Sequence, residues 1–396
     1  MGKGMRRPAI WACFVSVALC GLVQAQDKPP AAKDWSDPIK HPTDWLKLEA
    51  DLRLRHTYLN NPITLNQDAP GHEWNFERYR IRVGATATPV KDLDLTARIT
   101  WEGRHWWEPE TRDEWQNNDV LFDLLYAHWK SAFGIPLDLK VGRQEIILGD
   151  GWLVLEGTPL DGSRTIYFDA ARATIGLKEI DTTVDLIYLQ TTAEPISWMS
   201  FLGERDLFVA EQDEQGGIVY VTNKSLKTAQ IDGYYIFKEN DRVLPNGDEG
   251  VIHTFGGRTA VTLAPDWKLL AEGAYQTGHL NGRSLQAWGA QARLKHEFLI
   301  GDMKAEGRIE YEYRSGDDPD TDDDEAFRPL WSRWPAWSEL YIYTYAGETR
   351  IAEVTNVHRA SVGATVAPMR DMQVSFNYHL LFADQNTFGA LPGFDS

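Results

Sequence analysis

From Lys304 to Arg314 every second residue is charged: Lys304, Glu306, Arg308, Glu310, Glu312 and Arg314 alternate with Ala305, Gly307, Ile309, Tyr311 and Tyr313. Successive side chains of an extended strand point to opposite faces, so this segment has one apolar and one charged face. Leu46–Arg55, Tyr79–Val83 and Leu93–Glu102 repeat the pattern. A soluble sandwich or propeller buries one face and has no need of so regular a charged one. A closed transmembrane β-barrel uses both, turning the apolar face to lipid and the charged face to an aqueous lumen.

The pattern predicts fifteen strands, at 45–59, 73–89, 92–107, 120–132, 137–147, 164–177, 182–191, 216–223, 228–238, 251–264, 267–278, 285–299, 302–315, 356–368 and 371–383. Several exceed the ~5–6 residues typical of soluble strands and reach the ~9–11 that cross a bilayer. Links such as 90–91, 133–136, 265–266, 300–301 and 369–370 are short. They alternate with long ones at 60–72, 108–119, 147–163, 192–215, 239–250 and 316–355. Short turns on one side and long loops on the other are the signature of an antiparallel, up-and-down outer-membrane barrel. Such barrels carry an even number of strands. Fifteen is odd, and the chain ends on the loop-like run Phe388–Ser396. The expectation is a barrel of about sixteen strands, or eighteen, whose last strand is missing here; a strand overlooked at 340–345 is the alternative.

The N-terminus reads as an address. Lys3, Arg6 and Arg7 precede an apolar run from Ala9 to Val23, and Val23-Gln24-Ala25 is a small-residue cleavage pattern, which predicts a secretory signal peptide over 1–25. The run is short for a ~20-residue transmembrane helix, and Leu19 is bulky for the position before a lipidated cysteine. Residues 26–44 then form a periplasmic segment and 45–396 the barrel. Both cysteines, Cys13 and Cys20, fall inside the signal, so the mature chain has no disulfide and no cysteine nucleophile.

Charge refines the expectation. The chain has 58 acids against 40 bases, net −18, which excludes the basic face a nucleic-acid partner requires. Cleavage after Ala25 removes three bases, so the mature charge is −18 − 3 = −21. The long-loop segments 60–72, 108–119, 147–163, 192–215, 239–250 and 316–337 hold 26 acids and 5 bases, also net −21. The rest of the mature chain therefore sums to zero. The first three strands are the most basic: Arg55, Arg98 and a ladder of Arg78, Arg80 and Arg82 lie on charged faces. Such a wall favours anions, because guanidinium groups offset the desolvation of a carboxylate and match its geometry. The structural alternative is that Arg and Glu of adjacent strands merely pair and fill the lumen. It is strongest for Arg308 and Arg314 among Glu306, Glu310 and Glu312, and weakest for the 78–82 ladder.

Several short motifs occur in order: Val141-Gly142-Arg143-Gln144-Glu145, Gly149-Asp150, Phe168-Asp169-Ala170-Ala171-Arg172, Ser315-Gly316-Asp317-Asp318, Phe327-Arg328-Pro329-Leu330, and Val366-Ala367-Pro368 through Tyr378-His379. Together they resemble the alginate-export family of outer-membrane porins. The resemblance implies a single barrel with an arginine-rich lumen that passes an acidic polysaccharide such as alginate, or another anionic solute. It makes Arg143 and Arg172 lumen arginines, with Asp150 and Asp169 as the acids that pair with them. Arg172 fits the alternation. Arg143 shares parity with Leu139 and Val141, so it needs a β-bulge near Gly142 to reach the lumen; without one it sits at the membrane boundary.

Three further features weigh less. Asp318, Asp320 and Asp322 alternate as the first ligands of a Ca²⁺ loop do, but the Gly that such a loop has after them is an Asp here. They read as a weak metal candidate, and first as a solvated outer loop bridged to lipopolysaccharide and outer-membrane lipid. Trp331, Trp334 and Trp337 suggest an aromatic girdle or packed loop before a sugar-stacking site. The ten His are scattered without a catalytic motif, so no enzyme activity and no cofactor is expected; an outer-membrane enzyme or a closed receptor or assembly barrel is the rival. The acidic loops oppose anion entry from outside. Export of a polyanion, handed over by a periplasmic partner, fits better than uptake.

Overall fold

The computed structural model describes residues 11–19, 36–61, 66–117, 120–155, 167–193, 200–202, 210–332, 337–338 and 354–385. Fifteen long strands carry the fold. They are β2 (Leu46–Asn60), β3 (Glu73–Val90), β4 (Leu93–Glu108), β6 (Val120–Trp129), β7 (Leu137–Gln144), β8 (Phe168–Leu177), β9 (Thr182–Thr191), β11 (Gln212–Leu226), β12 (Ala229–Arg242), β13 (Gly250–Ala264), β14 (Trp267–Leu280), β15 (Arg283–Ile300), β16 (Met303–Arg314), β17 (Val357–Met369) and β18 (Met372–Phe382). Each pairs antiparallel with the next, so the sheet is a continuous up-and-down meander. Short strands β5 (Trp115–Asn117) and β10 (Ser200–Leu202) add to β4 and β6, and one helical turn, α1 (Asp37–Lys40), precedes β2. No described helix is long and apolar enough to cross a membrane.

All fifteen expected strands are present, with ends displaced by a few residues: the one expected from 216 starts at Gln212, and the one expected from 164 starts at Phe168. Strand β1 (Trp11–Leu19) lies within the expected signal peptide and runs antiparallel along β18. No register joins β2 to β18 or β1 among the described residues, so the sheet is not closed there. The alternative strand at 340–345, the residue Trp334 and the end of the chain from 386 lie outside the described residues.

The burial pattern is inverted relative to a soluble protein. Leu52, Leu54, Val83, Val141, Ile309 and Val362 are exposed on the outside, whereas Arg78, Glu102, Asp232, Glu312 and Arg359 are buried. That is the arrangement in which lipid solvates the exterior and polar groups are kept for the lumen. Aromatic side chains gather at both ends of the strands. Trp129 packs on Phe133, and Trp267 on His296, at the short-turn end; Tyr275 packs on Trp288, and Tyr79 on Trp115, toward the long-loop end. Two belts of this kind mark the two membrane interfaces. On the long-loop side one connection is tight: Asn281 and Gly282, at φ +53° and +84°, form the type of two-residue hairpin turn that Asn-Gly favours.

The anticipated β-bulge lies one strand away from its expected place. Pairing runs through Gly142 without a shift on both sides. The shift falls between Arg98/Ile99 of β4, where Arg98 faces Leu124 but Ile99 faces Phe122. Asp123 is the extra residue, and the bulge turns it inward. Gly142 instead has φ +121°, and a Cβ there would stand 2.2 Å from the Leu125 carbonyl oxygen. Gly142→Ala is expected to cost about 3 kcal/mol or more and to abolish the heat-modifiable folded band on gels. Gly233→Ala, where a Cβ meets nothing within 4 Å, is expected to leave that band intact.

Candidate functional site

The register of β2, β3 and β4 builds a charged wall in three rows. Asp51, Arg82 and Thr100 form one row; Arg53, Arg80 and Glu102 the next; Arg55, Arg78 and Arg104 the third. Residues two apart on a strand share a face, so all nine side chains are on the same side as buried Arg78 and Glu102. The wall has six arginines against two acids. Like charges directly opposite one another destabilise a sheet, and the third row has arginine on all three strands. Arg80 Nη2 donates to Asp51 at 2.7 Å, and Arg82 Nε to Thr100 at 3.1 Å. The bulge residue Asp123 lies 3.4 Å from Arg82 and accepts from Arg98 Nη2 at 2.8 Å; Arg98 also donates to Glu145 at 2.6 Å. Toward the long-loop end an aromatic cluster of Phe76, Trp106, Trp74 and Leu59 follows. Arg104 lies 5.1 Å over Phe76, and Arg112 lies 4.3 Å over Trp106.

The structure thus brings Arg55, Arg78, Arg80, Arg82 and Arg98 together, and it separates the other candidates. Arg172 belongs to β8 and donates to Asp185 at 2.8 Å. Arg143 remains on the parity of exposed Val141, opposite Leu125. It forms a two-pronged pair with Asp169, with both bonds at 2.9 Å, donates to the Phe122 carbonyl at 3.1 Å and covers the Tyr167 ring at 3.6 Å. Arg143 and Asp169 therefore pair as the resemblance implied, but the absence of a shift at Gly142 keeps them out of the wall. Asp150 pairs with neither Arg143 nor Arg172. Its carboxylate accepts from Arg258 at 2.7 Å and from Arg293 at 3.3 Å.

Those last contacts belong to a plug. Residues 145–155 and 325–332 fold back against the inner faces of β8, β9 and β11–β15, with Trp331, Phe327, Val154, Leu153 and Trp152 buried among Leu189, Ile236, Ile252 and Leu285. The two loops bind each other: Trp331 N donates to Leu153 O at 3.0 Å, and Ser332 Oγ to Gly151 O at 2.7 Å. They also bind the wall. Lys238 Nζ donates to Leu330 O at 3.0 Å, Trp152 Nε1 to Glu312 at 3.0 Å, and Gln276 exchanges two bonds with the Arg328 backbone. Of the Trp residues flagged in the sequence, Trp331 is a packed loop residue; Trp337 stacks near His379 and under Arg359.

The acidic run is engaged locally. Asp318 Oδ1 accepts from Asp320 N at 2.9 Å, and no three His, Cys, Asp or Glu converge as metal ligands among the described residues. Asp317 is bonded by Arg283, and Asp324 by Arg328 at 2.6 Å. Burial pushes the Asp317 carboxyl up, but the Arg283 bonds outweigh it and hold the group below its ordinary value. Ser361 faces His379 across β17 and β18, yet Ser361 Oγ donates to Glu310 and, among the described residues, neither ring nitrogen of His379 has a hydrogen-bond partner.

Residues 48–387 match the family described as "Alginate export". The chain belongs to the alginate-export family. No curated protein sequence matches it. Among solved structures it is similar to OmpT of Vibrio cholerae at 13% identity, over 86% of this chain and 99% of that one, with a TM-score of 0.34. A variant porin of Rh. blastica is 9% identical over 85% of this chain and 100% of its own, at 0.37. A bacterial polysaccharide outer-membrane secretin is 8% identical over 85% and 98%, at 0.35. Superpositions this loose carry no weight; the family match does.

In this alginate-export barrel the described apolar core of the plug takes no residue from β2, β3 or β4. Sequence reasoning missed Arg258, Arg293 and Lys238, each of which pairs with an acid on the neighbouring strand and also with a loop group that parity cannot place. Asp123 had a visible signal, a lone acid within Val120–Leu125. Trp331→Ala should cost about 3–5 kcal/mol of plug packing. The expected result is a larger single-channel conductance and faster proteolysis of the 315–332 loop.

Proposed function

We propose that this chain is an outer-membrane channel that exports an acidic polysaccharide between its plug and its arginine wall. The observation that carries the proposal is the wall itself: six arginines and two acids in three rows on one face of β2, β3 and β4. Opposed guanidinium groups repel, and an entering carboxylate relieves that repulsion while taking two-pronged bonds. Rows two residues apart are spaced by roughly 7 Å along a strand. A chain with carboxylates on successive sugars can thus pass from one row to the next. Water in the lumen screens each charge over ~8 Å at physiological salt, so no single row holds the solute tightly. The net acidic loops work against anion entry from outside, which favours export of a polysaccharide delivered from the periplasm, while the signal at 1–25 would direct the protein itself across the inner membrane. The same loops offer carboxylates for divalent-ion contacts with lipopolysaccharide.

The packed plug favours a second reading, a closed receptor or assembly barrel. Planar-bilayer recordings separate the two. A channel conducts, and its reversal potential under a salt gradient is that of an anion-selective pore; a closed barrel does not conduct. Replacing Arg78, Arg80 and Arg82 together with Ala should remove the anion preference, and Glu at the three positions should reverse it. A single Arg→Ala should change the permeability ratio by only about twofold. A cation-selective wild type, or anion selectivity indifferent to the triple change, would leave the ladder a structural role.

A further inference from the structure

The outer face of β8, β9, β11 and β12 changes character from one row to the next. Asp169, Gln190, Gln215 and Glu239 stand opposite one another on these four strands. Two residues further toward the short turns, Ala171, Tyr188, Gly217 and Phe237 take the same four places. Tyr188 OH reaches back to the polar row and donates to Gln215 at 3.3 Å. A polar row directly above an apolar one puts the edge of the hydrocarbon between them. Long loops face outside, so this edge belongs to the outer leaflet. Just below it the wall is hollow. Ala171 and Ala173 of β8 lie between Val141 and Leu139 of β7 and Tyr188 and Leu186 of β9. Val141, Tyr188 and Leu186 are exposed, and their longer side chains flank the two alanine methyls. The result is a furrow along β8, part of a cavity of about 490 Å³. Sites that hold small molecules span roughly 300–1,000 Å³.

We infer that the furrow along β8 seats an acyl chain of lipopolysaccharide, held tightly enough to stay when the barrel leaves the membrane. The inference needs the barrel alone and is independent of the transport reading. The occupant has to be apolar and narrow, because the furrow is one strand wide and continues on the same face to Ile175, opposite Val184. A headgroup at the level of Asp169 and Gln190 hangs its chain directly into it. Lipopolysaccharide is the lipid of the outer leaflet, on the long-loop side. A second copy of the chain fits the shape badly. A two-fold interface sets the same patch against itself, and a furrow facing a furrow encloses a void whose lining forfeits its contacts. A single chain laid along β8 recovers those contacts on three sides.

The test titrates the full-length barrel in detergent with a short-core lipopolysaccharide or with phosphatidylethanolamine and reads bound lipid by native mass spectrometry. Wild type should bind the lipopolysaccharide in preference. Ala171→Leu together with Ala173→Leu fills the furrow and keeps the face apolar. It should weaken lipopolysaccharide binding about tenfold, the loss of roughly two buried CH₂ groups. Ala364→Leu, on the lipid face of β17 two residues from exposed Val362, should bind as wild type. Binding by the double variant equal to wild type overturns the inference. So does an equal loss in Ala364→Leu, a wild type that binds no lipopolysaccharide, or one that prefers phosphatidylethanolamine. A wild-type dimer that the double variant dissolves gives the furrow to a second copy and overturns it as well. If the double variant lacks the heat-modifiable form, each single Leu substitution is measured in its place, and wild-type binding by both overturns the inference in the same way.

Discussion

A strand placed in hydrocarbon must give every backbone amide and carbonyl to a neighbouring strand, because lipid offers no partner. The rest of this molecule depends on that constraint. It forces an antiparallel ladder with few interruptions, and the ladder in turn forces the side chains into two strictly alternating sets. The outward set has to be apolar and the inward set is free to be charged. Where the ladder is interrupted, the interruption has an effect. At Asp123 one extra residue on β6 turns an acid inward between Arg82 and Arg98. At Gly142 the ladder continues, and a glycine with φ +121° absorbs the close approach of the Leu125 carbonyl.

Charges buried in the lumen have been dealt with in two ways. From β12 to β17 they are closed into pairs: Asp232 with Arg258, Glu310 with Arg293 and Arg359, Glu312 with Arg314. Asp232, Glu310 and Glu312 have direct guanidinium partners and buried Glu272 accepts from Tyr234 and Gln291, as an uncompensated buried charge would be expensive. This is the pairing alternative that the sequence suggested for Arg308 and Arg314, and Arg308 does lie 3.6 Å from both Glu306 and Glu310. The plug docks on this paired side, with Asp150 completing the set around Arg258 and Arg293. On β2 to β4 the balance is different, with arginines stacked row on row and one carboxylate left without a bond.

Period-two alternation made the strands legible, because lipid and lumen impose it residue by residue. It also made the face of Arg78, Arg80 and Arg82 legible, since the pairing of β3 with both neighbours runs without a shift from Phe76 to Ala87. What parity could not reach is contact between segments distant in sequence. Asp150 and Arg258 are 108 residues apart, Trp152 and Glu312 are 160 apart, and Gly151 and Ser332 are 181 apart. A loop that folds back into the lumen obeys no alternation, so the plug was invisible, and Asp150 was assigned to the wrong arginines. The bulge was misplaced for a related reason. A register shift is decided by both strands of a pair; Gly142 looked like a suitable site on its own strand, whereas the bulge formed where Asp123 gained two arginine partners by turning inward.

The charge ledger of the sequence has to be read with this division in mind. Outside the acidic loop segments the mature chain sums to zero. Neutrality holds only as a sum. The paired side encloses its acids within guanidinium contacts and beneath the plug, so their field is largely cancelled at short range. The three rows on β2 to β4 carry six arginines less two acids, a local charge of +4. At separations comparable to the ~8 Å screening length, a solute senses the wall beside it and not the sum over the barrel. In the proposed channel, selectivity would follow how charge is partitioned around the lumen, because strands with little net charge can still carry three rows of net +4 on β2 to β4.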